Sequence, residues 1–329
     1  MFDSVYVINL DKDTSRFEKV SQEIRTKLGK IPTRIKGIYG KDLSYEQKKK
    51  HCSPFYARIG SRSAIGCAMS HMKAWETMIS NGDSDALILE DDVTISSNFL
   101  ETFDKIKETI PKDFYIVYLG CVGLCDIEKR YDLTYSMIKL FTSKYSKQVI
   151  KINENVYVPA LPLALHGYIL SRKGAEYLLE NIRKDKIKFH IDFQILKYLY
   201  TVPSYAISPQ LIFQDDVDID TSNNVSDTYP VLINSLLKKK DKQGIPSNYK
   251  LTIGHFDIND YTVNLYTYLA IILGIILGIF KVKLKNILII FGVYHIPEWT
   301  ITNLSTFKTS IITLFIILCF YLVTVSVSR

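Results

Sequence analysis

The stretch Ala86-Leu87-Ile88-Leu89-Glu90-Asp91-Asp92 constrains this chain more than any other part of it. A continuous apolar run of that length reads as a strand buried on both faces, and it ends in three adjacent carboxylates. Packing does not call for three anions at a strand tip. Their repulsion costs free energy unless a cation or a cationic side chain offsets it. Hard, oxygen-seeking ions such as Mg²⁺ or Mn²⁺ suit such a cluster. Open α/β sheets hold their ligands at strand ends, and a divalent ion there can grip a diphosphate. The segment therefore points to nucleotide-dependent chemistry, against the plainer reading of a solvated acidic loop.

Strands and helices alternate around this segment. Val5 to Leu10 reads as a first strand; Ser15 with Glu18 makes a capping-box pattern ahead of Phe17, Val20, Ile24 and Leu28 at helical spacing. A second strand is expected over Arg34 to Ile38, irregular chain over 41–64, and a helix from Gly66 to Ile79. Asn98 heads a helix carrying Phe99, Phe103 and Ile106, and Tyr115 to Leu119 reads as a strand closed by Gly120. Tyr168 to Leu170 is a further strand, Ser171 caps the helix after it, and Ile191 to Leu199 is helical. Residues 126–150 lack a period and read as a flap. The pattern predicts an α/β fold with a mostly parallel sheet and helices on both faces.

On the helix from Gly66, Cys67, His71 and Trp75 recur at four-residue steps and share one face. A histidine so placed is ordinarily structural. Taken together, however, Ile8-Asn9-Leu10 with Arg16, Gly66 with Ser70-His71 and Trp75, and Leu89-Glu90-Asp91-Asp92-Val93 resemble glycosyltransferase family 25. Tyr168 to Ala175 and Asp192 within His190-Ile191-Asp192-Phe193 also fit, so the resemblance covers roughly residues 3–225. It implies a GT-A-like nucleotide-sugar-binding domain and an inverting transfer of a hexose, typically galactose from UDP-galactose, to a glycan or protein acceptor. Under it, Asp92 and Asp91 would hold Mn²⁺ or Mg²⁺. Asn9, Arg16, Ser70, His71, Glu90 and Asp91 would serve the nucleotide sugar. Period two puts Glu90 and Asp92 on one side of the strand and Asp91 on the other, so Asp91 is open to the metal or to the ribose. Arg16 fits a phosphate or a neighbouring acid equally. Asp192 is the candidate base, against a role as a helix cap. The acceptor would meet 121–165 and His166.

The C-terminal third differs in kind. Residues 263–280 and 310–327 are uncharged apolar runs, each about 27 Å long as a helix. The reading is a catalytic domain over 1–225, a basic linker over 226–262 and a C-terminal hairpin anchor over 263–329, with Ile287 to Tyr294 lying in the interface. Much of the net charge of +7 lies in lysines near these runs (Lys238, Lys239, Lys240, Lys242, Lys281, Lys283, Lys285), which fits a lipid membrane as partner and not nucleic acid. The first residues lack a signal-peptide pattern, so the catalytic domain is expected on the cytosolic side, with a lumenal placement left open. Four Lys against one Glu over 281–309 also favour a cytosolic loop, and the two expectations agree only if one run alone spans or both enter and return.

Five cysteines at irregular spacing suggest reduced thiols. Cys67, His71, Cys121 and Cys125 make a loose zinc pattern, and Asp216, Asp218, Asp220 and Asp227 a calcium-loop pattern with Thr221 where glycine is required. Two rival functions stand beside the transferase. One is a haloacid-dehalogenase-type phosphatase using Asp11, although Asn9-Leu10 precede Asp11 and Ser15 stands four positions on, where that class needs Thr or Val. The other is an inactive membrane-anchored nucleotide-sugar-binding protein.

Overall fold

The computed structural model describes residues 2–126, 148–214, 229–236, 254–258 and 261–327. The expected flap lies almost wholly outside them, as do the calcium-like aspartates and the lysines of 238–242. The chain forms two compact units, Met1–Val217 and Asp218–Arg329.

In the first unit, eight strands form one sheet: β1 (Ser4–Asn9), β2 (Thr33–Lys36), β3 (Asp85–Glu90), β5 (Ile116–Leu124), β6 (Ile150–Lys151), β7 (Val156–Val158), β8 (Leu161–Ser171) and β9 (Ser204–Ile207). Their order is β2-β1-β3-β8-β5-β9-β7-β6. The sheet is mixed and mostly parallel: six strands run one way, and only β8 and β7 run against them. β8 fills the gap between β3 and β5 from the opposite end, pairing Leu89 with Gly167 on one side and Tyr118 with Tyr168 on the other. A separate pair, β4 (Val93–Ile95) with β10 (Ile212–Gln214), follows the tip of β3.

Side-chain alternation divides the core into two layers. Tyr6, Ala86, Ile88, Tyr118 and Tyr168 pack under α4 (Arg62–Asn81), α6 (Arg172–Asp185) and α7 (Ile191–Leu199). Val5, Val7, Leu87, Leu89, Val117 and Ile169 pack under α1 (Thr14–Leu28) and α5 (Phe99–Ile106). The parity of Ala86 and Ile88 carries Glu90 to the α4 layer, while Asp91 falls on the α1 side.

Three local expectations are corrected. The Ser15–Glu18 capping box does not form: α1 starts two residues earlier, behind Asp13, which makes no side-chain cap and gives its carbonyl to the Asn9 amide at 2.8 Å. Gly120 does not close its strand; β5 continues to Leu124 because a glycine there lets it pass His166 and the Ile212 carbonyl. The short strand expected at Tyr168 is the end of an eleven-residue one.

The second unit contains α8 (Val231–Leu236), the hairpin β11 (Phe256–Ile258) with β12 (Tyr261–Val263), and three apolar helices: α9 (Leu265–Ile279), α10 (Leu284–Ile301) and α11 (Phe307–Val327). Among the described residues, α11 is the one helix long and apolar enough to cross a membrane by itself. Two expectations change here. The first apolar run forms a helix of 15 residues, and Ile287 to Tyr294 is no separate interfacial piece but the first half of an 18-residue helix.

A Cβ on Gly167 would sit 2.5 Å from Ile212 Cγ2, so β8 and β10 touch through a position that admits no side chain. Gly167→Ala is expected to destabilise the first unit by about 1–3 kcal/mol through overpacking. A urea midpoint equal to the wild type would show that β10 does not lie over β8.

Candidate active site

The three carboxylates at the β3 tip are half-buried, and their charges are compensated to different degrees. Glu90 Oε1 lies 3.1 Å from His71 Nε2 on α4. His71 Nδ1 lies 2.9 Å from the Tyr168 hydroxyl, which accepts from Trp75 Nε1 at 2.8 Å. Indole only donates, so the Tyr168 proton is directed to Nδ1 and the Nε2–H to Glu90. That chain assigns the tautomer. Burial pushes Glu90 up, but the hydrogen bond from His71 more than offsets it and the carboxyl lies below its ordinary range.

Asp91 turns to the other side, as period two predicts. Its Oδ2 accepts from Asn9 Nδ2 at 2.6 Å and its Oδ1 lies 3.9 Å from Arg16 Nη1. Asn9 is itself buried, and its Oδ1 accepts from Arg34 Nε at 2.7 Å. Burial nevertheless raises Asp91 to about 6. Asp92 fares worst. Gln214 Nε2 on β10 donates to Oδ2 at 3.1 Å, while Oδ1 is buried with no hydrogen-bond partner. Burial first, then the Glu90 charge, pushes Asp92 up to about 7.

The remaining candidates surround this tip. Asp192 stands in the first turn of α7; its Oδ1 accepts from Phe193 N at 2.9 Å and its Oδ2 from Ala164 N at 3.4 Å. The cap position belongs to His190. The Cys67 thiol is pushed well up, by burial and then by the charges of Glu90, Asp192 and Asp92, so these carboxylates share one neighbourhood. His166 is buried behind Gly120; burial holds its imidazole below the ordinary range, and the Glu90 charge opposes this. Ser70 is committed elsewhere: its hydroxyl donates to Gly66 O at 2.7 Å and accepts from Ile38 N at 2.8 Å, fastening α4 to the chain after β2.

The donor set suits a hard cation. Asp92 brings a buried oxygen with no partner, and Asp91 a raised carboxyl beside it. Cys67, His71 and Glu90 also converge, with ligand atoms within 4.8 Å of one another. A soft metal there would need the Nε2 that already serves Glu90, and would force the buried Tyr168 hydroxyl to give up its acceptor. The Cys121–Cys125 disulfide agrees with setting the loose zinc pattern aside, and it corrects the expectation of reduced thiols throughout. Arg34 and Gln214 complete the site and were not found by sequence. Arg34 sits on a short edge strand, and Gln214 on a three-residue strand, neither with a pattern of its own.

The strand tip, backed by the buried His71 and flanked by acids, lies within the part of the chain that is similar to known proteins. The chain belongs to glycosyltransferase family 25: that family's model, described as an LPS biosynthesis protein, matches residues 2–195. Procollagen galactosyltransferase 2 of Mus musculus is 28% identical over 194 residues, covering 54% of this chain and 27% of that protein. A Haemophilus influenzae protein named as a glycosyltransferase is 26% identical over 221 residues, covering 64% and 70%. Human inactive glycosyltransferase 25 family member 3 is 26% identical over 132 residues, covering 36% and 22%. The chain spans about a quarter of the length of the procollagen relatives.

Raised carboxyls have a consequence for stability. The folded chain binds the Asp91 and Asp92 protons more tightly than the unfolded chain does, so stability falls as pH rises from near 3.8 through about 6 and about 7. The urea midpoint of the metal-free protein should therefore be lower at pH 8 than at pH 5, and Asp92→Asn should flatten the difference. A midpoint that rises over this range would contradict the assignment.

Proposed function

We propose that the chain is a metal-dependent, inverting hexosyltransferase that moves galactose from UDP-galactose to a glycan or protein acceptor at a membrane. The observation that carries this reading is the buried, unpartnered Asp92 oxygen at the end of β3, beside a second carboxyl raised to about 6. Asp92 and Asp91 would hold Mn²⁺ or Mg²⁺, which when bound supplies positive charge beside the departing nucleoside diphosphate.

The chain's own residues do the rest. Glu90, held ionised by His71, contributes negative charge to the cation's surroundings. Asn9 acts through Asp91, since its amide is divided between Asp91 Oδ2, the Asp13 carbonyl and Arg34. Arg16 stands at the edge of the same carboxylate and faces the phosphates. Ser70 holds α4 in place. Asp192 takes the acceptor hydroxyl proton; the two backbone N–H groups fix its carboxylate without removing its negative charge. Membership of the family sets aside the phosphatase. The inactive binding protein is disfavoured by the intact acids, although a relative carries an inactive name.

The decisive assay is UDP release from a panel of UDP-sugars with Mn²⁺. Asp92→Asn should abolish metal-dependent turnover with the fold retained; wild-type turnover in that variant would remove the proposed centre. Asp192→Asn should lower kcat by about 10²–10⁴, the ordinary contribution of a general base, with KM for the donor little changed. An unchanged kcat would move the base elsewhere.

A further inference from the structure

We infer that α9, α10 and α11 cross the bilayer in succession, so that Asn264 and Val327 lie on opposite faces of the membrane. This rests on the reading that the second unit embeds in lipid, and it replaces the hairpin expected from the two apolar runs.

The first observation is how α9 meets α11. A Cβ on Gly274 would collide with the Ile317 carbonyl, and one on Gly278 would sit 2.6 Å from Thr324 Cβ and 2.9 Å from Tyr321 O. Four residues past Gly278, just beyond the end of α9, Val282 O accepts from the Tyr321 hydroxyl at 2.8 Å. Positions advance together on both helices, so α9 and α11 run parallel. Small residues four apart permit this approach in the absence of a hydrophobic drive between helices in lipid. Thr267, Ala270, Gly274 and Gly278 are the buried face of α9.

Parallel neighbours joined by a short connection require a return path, and α10 supplies it. It begins beside Val282, at the level of Tyr321 on α11. It ends with Trp299 Nε1 donating to Ser310 Oγ at 2.7 Å, and with Trp299 packed on Phe307. Those two anchor points are eleven residues apart on α11, roughly 16 Å along its axis, and α10 rises about 27 Å between its ends. It therefore travels backwards along α11, at an incline.

The side chains agree with lipid as the occupant of the outer surface. Ile272, Ile279, Ile289, Val293, Ile296, Phe315 and Leu322 are all exposed, a band far larger than a water-facing surface carries. Two polar residues in the second half of α10, His295 and Glu298, turn inward. Glu298 is fully buried and accepts from Val231 N at 2.6 Å and Leu232 N at 3.0 Å; His295 Nε2 meets the Tyr229 hydroxyl at 2.8 Å. Helix α9 alone rises about 22 Å, short of a hydrocarbon core. Packed on α11 and followed by Lys281, Lys283 and Lys285, it crosses as part of the bundle, with those lysines reaching the headgroups.

Single-cysteine reporters in the full chain, expressed into sealed vesicles, test this. Lys283→Cys and Ser305→Cys flank α10, and Ser326→Cys ends α11. A membrane-impermeant maleimide, read by peptide mass spectrometry, should label positions 283 and 326 from one face and 305 only from the other, with all three labelled in detergent. Labelling of 283 and 305 from the same face overturns the three-crossing order and leaves a hairpin or a single span. Recovery of the chain in the soluble fraction without detergent overturns the membrane reading itself.

Discussion

The first unit is organised around the problem of half-burying three carboxylates in a row. A continuous apolar strand drives Glu90, Asp91 and Asp92 into the protein, and each must find compensation in a different direction. Glu90 is held by a chain of donors that begins at an indole and passes through a phenol and an imidazole. That chain needs α4 on one face of the sheet and Tyr168 directly beneath it. Tyr168 reaches the spot only because β8 is inserted antiparallel between β3 and β5. The reversed strand is thus part of the site as much as of the core. Truncating any member would leave a buried polar group unsatisfied, at about 1–3 kcal/mol.

The unevenness of the compensation is the chemically informative part. Asp91 has an amide and a guanidinium, whereas Asp92 has one hydrogen bond at 3.1 Å and a bare oxygen. A fold selected for stability alone would have replaced Asp92 or paired it fully. Compensation falls away from Glu90 toward Asp92, beside the β4–β10 pair, and a cation bound there would lower the free energy of the carboxylates around it.

Much of this was legible in sequence because it is local. A strand has a period of two, so the division of Glu90 from Asp91 follows from the run Ala86 to Leu89 without knowledge of the fold. His71 and Trp75 fall on one face because a helix has a period near 3.6. What could not be read is non-local. Gln214 meets Asp92 across 122 positions and Trp75 meets Tyr168 across 93. No pattern in the three residues of β10 announces that contact. The direction of β8 is likewise hidden, since an apolar strand reads the same both ways. The Cys121–Cys125 pair escaped because a short cysteine spacing is compatible with metal, thiol or disulfide until the backbone is known.

The second unit shows the same limit from the other side. Hydropathy finds long apolar runs and undervalues a segment with Lys285, His295, Pro297 and Glu298, so α10 reads as an interruption. His295 and Glu298 are in fact spent inside the protein, on Tyr229 and on the 231–232 amides. A segment whose polar groups are satisfied internally presents lipid with an apolar exterior whatever its mean hydropathy. Counting spans by composition therefore undercounts where a buried carboxylate has backbone donors to meet. The parallel contact of α9 with α11, which no composition reports, is what the proposed third crossing rests on.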